Sequence, residues 1–303
     1  MSLNRRTFLA SLAAASAAGI ALPRFVLAQS GLLTKPIPTS GEKLPLVGLG
    51  SWITFNVGDD PVARDVCADV MQAFFDEGGR MIDSSPMYGS AQEVIGYGLK
   101  KLKATDKVFS ADKVWTGGDG PEQIAESERR WGVQRFDLLQ VHNLLSWEEH
   151  LDTLFAMKEA GKLRYVGITT SHGRRHREFE DVMKAHPLDF IQITYNVVDR
   201  EVEKRILPLA QEKGIAVIAN RPFQQGALID GLDGETLPPF ASEIGAKNWA
   251  QLLLKFIVSH PAVTCAIPAT SKVAHVRQNM GASYGPLPDA KMRGRIAAYV
   301  EEI

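Results

Sequence analysis

The chain predicts a single-domain α/β fold, a (β/α)8 TIM barrel with a hairpin at its bottom, on three observations. Eight short apolar runs recur along it, amphipathic stretches of helical period separate them, and three of those stretches stop at glycine just before the next run. Short runs rich in Val, Ile and Leu fit strands buried on both faces, as in a parallel sheet. A helix that ends in glycine and passes straight into a strand is the connection a repeating strand–helix unit needs, and eight such units make a barrel.

In chain order the runs are Leu46–Gly50, Met81–Asp83, Val108–Ala111, Leu138–His142, Tyr165–Ile168, Phe190–Ile193, Ala216–Ala219 and Cys265–Pro268. Ahead of them, Leu32 to Pro45, turning at Thr39-Ser40-Gly41-Glu42, reads as a hairpin that plugs the barrel bottom. The helical stretches include Val62 to Phe75, stopped at Gly78-Gly79; Leu151 to Ala160, stopped at Gly161; and Arg205 to Lys213, stopped at Gly214. Gly226 to Pro239, rich in Gly, Asp and Pro, reads as a loop over the active face. The basic run His172-Gly173-Arg174-Arg175-His176-Arg177 reads as a solvated helix start, with attraction of an anionic substrate as the alternative.

Residues 1–28 are set apart from the fold. Asn4-Arg5-Arg6-Thr7-Phe8-Leu9 is a twin-arginine pattern, an uncharged apolar stretch from Leu9 to Leu22 follows, and Val26-Leu27-Ala28 offers small-residue cleavage chemistry. The expectation is a twin-arginine (Tat) signal peptide, export by the Tat machinery to the periplasm, and a mature barrel over residues 29–303. The apolar stretch is too short for a comfortable membrane span, so none is expected in the mature protein. With 34 basic against 35 acidic residues the net charge is −1, which gives no footing for nucleic acid. Cys67 and Cys265 lie in separate apolar contexts and read as buried thiols.

The chemistry lies at the strand ends. Asp83, Tyr88, Lys113 and His142 each sit at or just past the end of an apolar run, the edge of a parallel barrel where reactions occur. Reducing a carbonyl needs a hydride donor at carbon and a proton donor at oxygen. Tyr88 serves as the acid if the Lys113 ammonium lowers its pKa, Asp83 holds Lys113 charged, and a neutral His142 hydrogen-bonds the carbonyl oxygen. No histidine pair shows metal-ligand spacing with a carboxylate or cysteine, so no metal is expected.

Gly79-Arg80-Met81-Ile82-Asp83-Ser84-Ser85-Pro86-Met87-Tyr88-Gly89, Lys113 in Ser110–Trp115 and His142 in Leu139–Asn143 resemble the aldo-keto reductases. The resemblance continues in order through Gly167-Ile168, Gln192, Ala219 to Leu228 and Ile267–Lys272. It implies the same four catalytic roles and an NAD(P)H cofactor. Gln192, with Thr169 or Thr170, would hold the carboxamide; Thr270, Ser271 and Lys272 would meet the 2′-phosphate, and Asn279 the adenine. These favour NADP(H), with NAD(H) possible because His275 stands where many relatives have Arg. Asn220, Arg221 and Pro222 match a cofactor-binding stretch, but Asn220 replaces the aromatic residue that stacks on the nicotinamide, leaving Arg221 or another side chain to cover it. Trp52, Phe55, Met87 and Trp115 are expected to line a pocket for an apolar or aromatic small-molecule carbonyl. Two other readings stay open: a barrel that binds a nicotinamide cofactor or a partner without turnover, and a sugar-hydrolysing barrel, which needs a second acid at a strand end.

Overall fold

The computed structural model describes residues 31–303; the twin-arginine expectation falls on residues outside that range. Strands β1 (Thr34–Pro36) and β2 (Lys43–Pro45) pair antiparallel as the expected hairpin. β3 (Leu49–Gly50), β4 (Met81–Asp83), β5 (Phe109–Val114), β6 (Leu138–Val141), β7 (Tyr165–Thr169), β8 (Phe190–Thr194), β9 (Ala216–Asn220) and β10 (Val263–Ala266) form one parallel eight-stranded sheet in sequence order. The sheet closes where Val47 bridges Ala266 and Gly50 bridges Ala269. A Cβ on Gly50 would lie 2.9 Å from the Ile267 carbonyl oxygen, so this approach requires glycine.

Helices α1 (Pro61–Asp76), α2 (Ala91–Leu102), α3 (Gly120–Trp131), α4 (Trp147–Glu159), α5 (His176–Ala185) and α6 (Ile206–Lys213) follow β3 to β8 in turn. They are followed by α7 (Ala227–Gly231), α8 (Trp249–Val258), α9 (Val273–Met280) and α10 (Ala290–Glu302). The starts follow from local chemistry: Asp60 Oδ1 accepts the Val62 and Ala63 amides at 2.8 and 3.1 Å ahead of Pro61, and Asp119 accepts the Glu122 amide at 2.9 Å. Gly214, in the left-handed region, ends α6 as expected. α4 starts at Trp147, earlier than the apolar spacing indicated, because its first turn carries Glu148 and Glu149. The stretch after β9 is not all loop: Gly226, at φ 104, turns it into α7.

The strand period of two explains how the barrel interior is divided. Met81, Phe109, Ala111, Leu138, Tyr165, Phe190, Ala216, Ile218 and Cys265 fill its lower layers together with Ile37 and Leu44 of the hairpin. One or two inward positions further along the same strands come Asp83, Lys113, Gln140, Gln192 and Asn220. The polar positions step along the sheet with its register: Lys113 pairs Gln140 and Thr194 pairs Asn220, whereas Asp83 is level with Ala111 and Gln192 with Ile218. Lys35 ties the hairpin to the last strand–helix unit, its Nζ donating to the carbonyls of Val258, His260 and Val263 at 2.8, 2.7 and 2.6 Å. Among the described residues no helix is long and apolar enough to cross a membrane.

Candidate active site

Lys113 is enclosed in the top layer, where a bare ammonium would be costly. Its Nζ lies 2.6 Å from Asp83 Oδ2 and donates to the Ser84 carbonyl at 2.7 Å. The other Asp83 oxygen accepts the Gln192 amide at 2.7 Å. Burial works against the Lys113 charge, but Asp83 and Tyr88 outweigh it and hold its pKa above the usual lysine range. The same ammonium sits 5.1 Å from the centre of the Tyr88 ring.

Tyr88 lines the cleft, and here the sequence expectation needs correction. Burial raises its pKa above the ordinary tyrosine value; Lys113 opposes that rise without reversing it, and Asp83 adds to it. Tyr88 is therefore a fully protonated acid at neutral pH. Lys113 acts on the phenolate as it forms rather than by pre-ionising the group.

His142 follows β6 on a single 3-10 turn, 5.7 Å from the Tyr88 ring, centre to centre. Burial and the Lys113 charge push its pKa down to about 2, so the ring is neutral, as expected. Its Nδ1 lies 2.8 Å from Ser85 Oγ. Behind it Asn143, Leu144 and Ser146 all have positive φ. Arg175 fastens this strained turn, its guanidinium donating to the Asn143 and Leu144 carbonyls at 2.8 Å each. Arg175 is thus not the merely solvated helix start that its basic run indicated.

The cleft above these groups has a volume of about 460 Å³. Trp52, Met87, Tyr88, His142, Thr169, Gln192, Asn220, Arg221, Pro222, Thr270, His275 and Asn279 line it as anticipated. Phe55 does not: it is fully buried in the hydrophobic core, because Ile53 takes φ 64 and turns the loop so that Ile53 and Thr54 face the cleft instead. Trp115 lies outside the lining, 6.5 Å from the His142 ring. Ser271 and Lys272 stand exposed on the turn before α9, and Thr170 is buried behind the lining. Asn220 is held by two hydrogen bonds, accepting the Thr194 hydroxyl at 2.8 Å and donating to the Thr170 carbonyl at 3.0 Å. Beside it Arg221 donates to His172 Nε2 at 2.7 Å. Sequence reasoning missed Gln140 and Ser85 and reached His172 only as part of the basic run; the inward parity of β6 marks Gln140, whereas nothing short of the folded contacts marks Ser85.

Among the described residues no cluster of three or more His, Cys, Asp or Glu is placed to hold a metal ion. Cys67 and Cys265 are separate buried thiols.

A model of the aldo/keto reductase family matches residues 46–298, the whole barrel. The chain belongs to the aldo/keto reductase family. Among the relatives of this reductase, methylglyoxal reductase YeaE of Escherichia coli K12 is 29% identical over 276 residues, spanning 88% of this chain and 95% of its own. The NADH-specific methylglyoxal reductase of the same organism is 27% identical over 241 residues, 67% of this chain and 71% of its own. A solved aldo/keto reductase from Klebsiella pneumoniae, in complex with NADP and acetate, superposes with a TM-score of 0.71 at 25% identity, covering 86% of this chain and 93% of its own.

Proposed function

We propose that the protein is an NAD(P)H-dependent carbonyl reductase acting on a small aldehyde or ketone. The observation that carries this is the enclosed Lys113, ion-paired to Asp83 on one side and facing the protonated Tyr88 on the other, with neutral His142 alongside. The residues at the far end of the cleft suit a dinucleotide. Thr270 offers a hydroxyl, Lys272 an exposed cation, and the buried Asn279 carboxamide makes no hydrogen bond among the described residues. NADP in the Klebsiella relative favours the phosphorylated cofactor, while the NADH-specific relative keeps NAD(H) open.

A bound nicotinamide supplies the hydride. The protein's own residues handle the oxygen. His142 donates to the carbonyl oxygen and fixes its approach, Tyr88 delivers the proton, Lys113 stabilises the phenolate left behind, and Asp83 keeps Lys113 charged and in place. Trp52, Ile53 and Met87 give the mouth an apolar rim suited to an unhydrated carbonyl compound. Sugar hydrolysis by paired carboxylates fits poorly, because both Asp83 oxygens are already engaged.

The test is to mix purified protein with NADPH or NADH and an aldehyde panel that includes methylglyoxal, the compound in the names of both Escherichia coli relatives. Oxidation of the cofactor by wild type, lost in Tyr88→Phe, supports the reading. Tight cofactor binding without oxidation would favour a non-catalytic barrel instead. The Arg5-Arg6 pattern and the apolar stretch behind it support export by the Tat machinery to the periplasm. Exchanging both arginines for lysine should hold the protein in the cytoplasm, and unchanged export would remove this reading.

A further inference from the structure

We propose that Ser85 is a positioning residue for carbonyl reduction, holding the neutral His142 ring in the tautomer that carries its proton on Nε2. This rests on the carbonyl-reductase reading above. Ser85 is fully buried in the turn between β4 and Tyr88, and its Oγ lies 2.8 Å from His142 Nδ1. Its oxygen also accepts the Met87 amide at 3.2 Å. A hydroxyl has one hydrogen to give. With a lone pair engaged by Met87, and no other acceptor for the hydroxyl among the described residues, that hydrogen goes to Nδ1. Nδ1 is then an acceptor, and the ring proton must sit on Nε2, which has no hydrogen-bond partner among the described residues.

The opposite tautomer fails twice. With Nδ1 protonated, the Ser85 hydroxyl hydrogen is buried without an acceptor. Nε2 would then face the substrate oxygen with a lone pair, which repels instead of orienting. The same serine sets the acid as well, since its carbonyl accepts the Tyr88 amide at 2.9 Å and closes the turn that presents the phenol. One residue therefore fixes both groups that meet the carbonyl oxygen, the first by its hydroxyl and the second by its backbone. Replacing the hydroxyl removes the contact to His142 and the acceptor of the Met87 amide, and leaves the backbone bond to Tyr88 in place.

The test begins with wild-type protein labelled with ¹⁵N-histidine, whose two-bond proton–nitrogen correlations report the tautomer of each ring. His142, identified by the peak lost in His142→Asn, should appear as the Nε2–H form at neutral pH. Ser85→Ala should shift it to a mixture and lower kcat about tenfold, the loss of one hydrogen bond, with cofactor Kd unchanged. Ser85→Thr, which keeps the hydroxyl, should restore both. A wild-type His142 in the Nδ1–H form overturns the proposal, and needs no variant to be seen. So does an unaltered tautomer and kcat in Ser85→Ala when wild type is active. A wild-type chain inactive on every carbonyl compound removes the catalytic role through the functional reading. That outcome is distinguishable, because the tautomer shift in Ser85→Ala would remain.

Discussion

Asp83 and Lys113 form an ion pair sealed from solvent, 2.6 Å from Nζ to Oδ2, with side-chain exposures of 3% and 0%. Such a pair is bound up with the fold as much as with the chemistry, since either partner alone is an uncompensated buried charge. Lys113→Met and Asp83→Asn should therefore each lose stability on their own, about 3–5 kcal/mol for the lysine variant. The double variant Asp83→Asn/Lys113→Met should recover much of it while remaining inactive. Urea unfolding of the four proteins, read as a double-mutant cycle, checks this; additive losses would contradict it.

His142 makes stability depend on acid. Its folded pKa of about 2 lies below the ordinary 6.5, so between those values the unfolded chain binds a proton that the folded chain does not. The stabilisation is complete above about pH 6.5 and is lost progressively as pH falls below it. His260, lowered to about 4, contributes in the same direction. His142→Asn should accordingly destabilise less steeply between pH 6.5 and 4 than wild type does, as measured by thermal midpoints across that range.

Asp112 works in the opposite sense. It is completely buried, accepting the Gln92 side-chain amide at 2.7 Å and the Lys113 backbone amide at 2.7 Å. Burial raises its pKa from 3.8 to about 7, with Lys113 and these hydrogen bonds opposing the rise. The folded state thus holds a proton between about 3.8 and 7 that the unfolded state releases, and stability from this group falls as pH rises through that window. Asp112→Asn should match wild type near pH 4 and gain on it steadily toward pH 8. Denaturant midpoints at the two ends of the range decide the matter.

Gly96, inside α2, lies against α3 so closely that an added Cβ would stand 2.0 Å from the Arg130 carbonyl oxygen. Backbone on one side and a packed helix on the other leave nowhere for a methyl group to go. Gly96→Ala should cost about 1–3 kcal/mol despite alanine's better helix propensity. A rise in melting temperature would show that the two helices slide apart freely.

The barrel was legible because a strand buried on both faces has to be apolar, and the strand–helix alternation survives in any window of the sequence. The four reacting groups were legible as an ordered set at strand ends. What sequence could not carry was the direction of side chains in loops. Phe55 and Ile53 are two residues apart, and only the positive φ at Ile53 sends one into the core and the other to the cleft. The sign of the Tyr88 shift was equally out of reach. Burial, joined by Asp83, works against Lys113, and burial is a property of the fold. Ser85 acts through one hydrogen bond to His142 and Arg175 through two to the turn behind it, a kind of contact that leaves no periodic trace.

The ring of strands is joined into a circle by a clasp of two bridges, from Val47 to Ala266 and from Gly50 to Ala269, and the β3–β4 ladder on the other side of this short strand also has only two pairs. Local opening should be easiest there. Yet Gly50, Ala269 and Thr270 also form one wall of the cleft. A molecule lodged against that wall spans both sides of the clasp and fastens it. Amide hydrogen exchange at Gly48 and Gly50 should then run ahead of exchange at Ile191, and slow toward it once a nicotinamide dinucleotide is added. A joint of so few bonds would be mended by the ligand it holds.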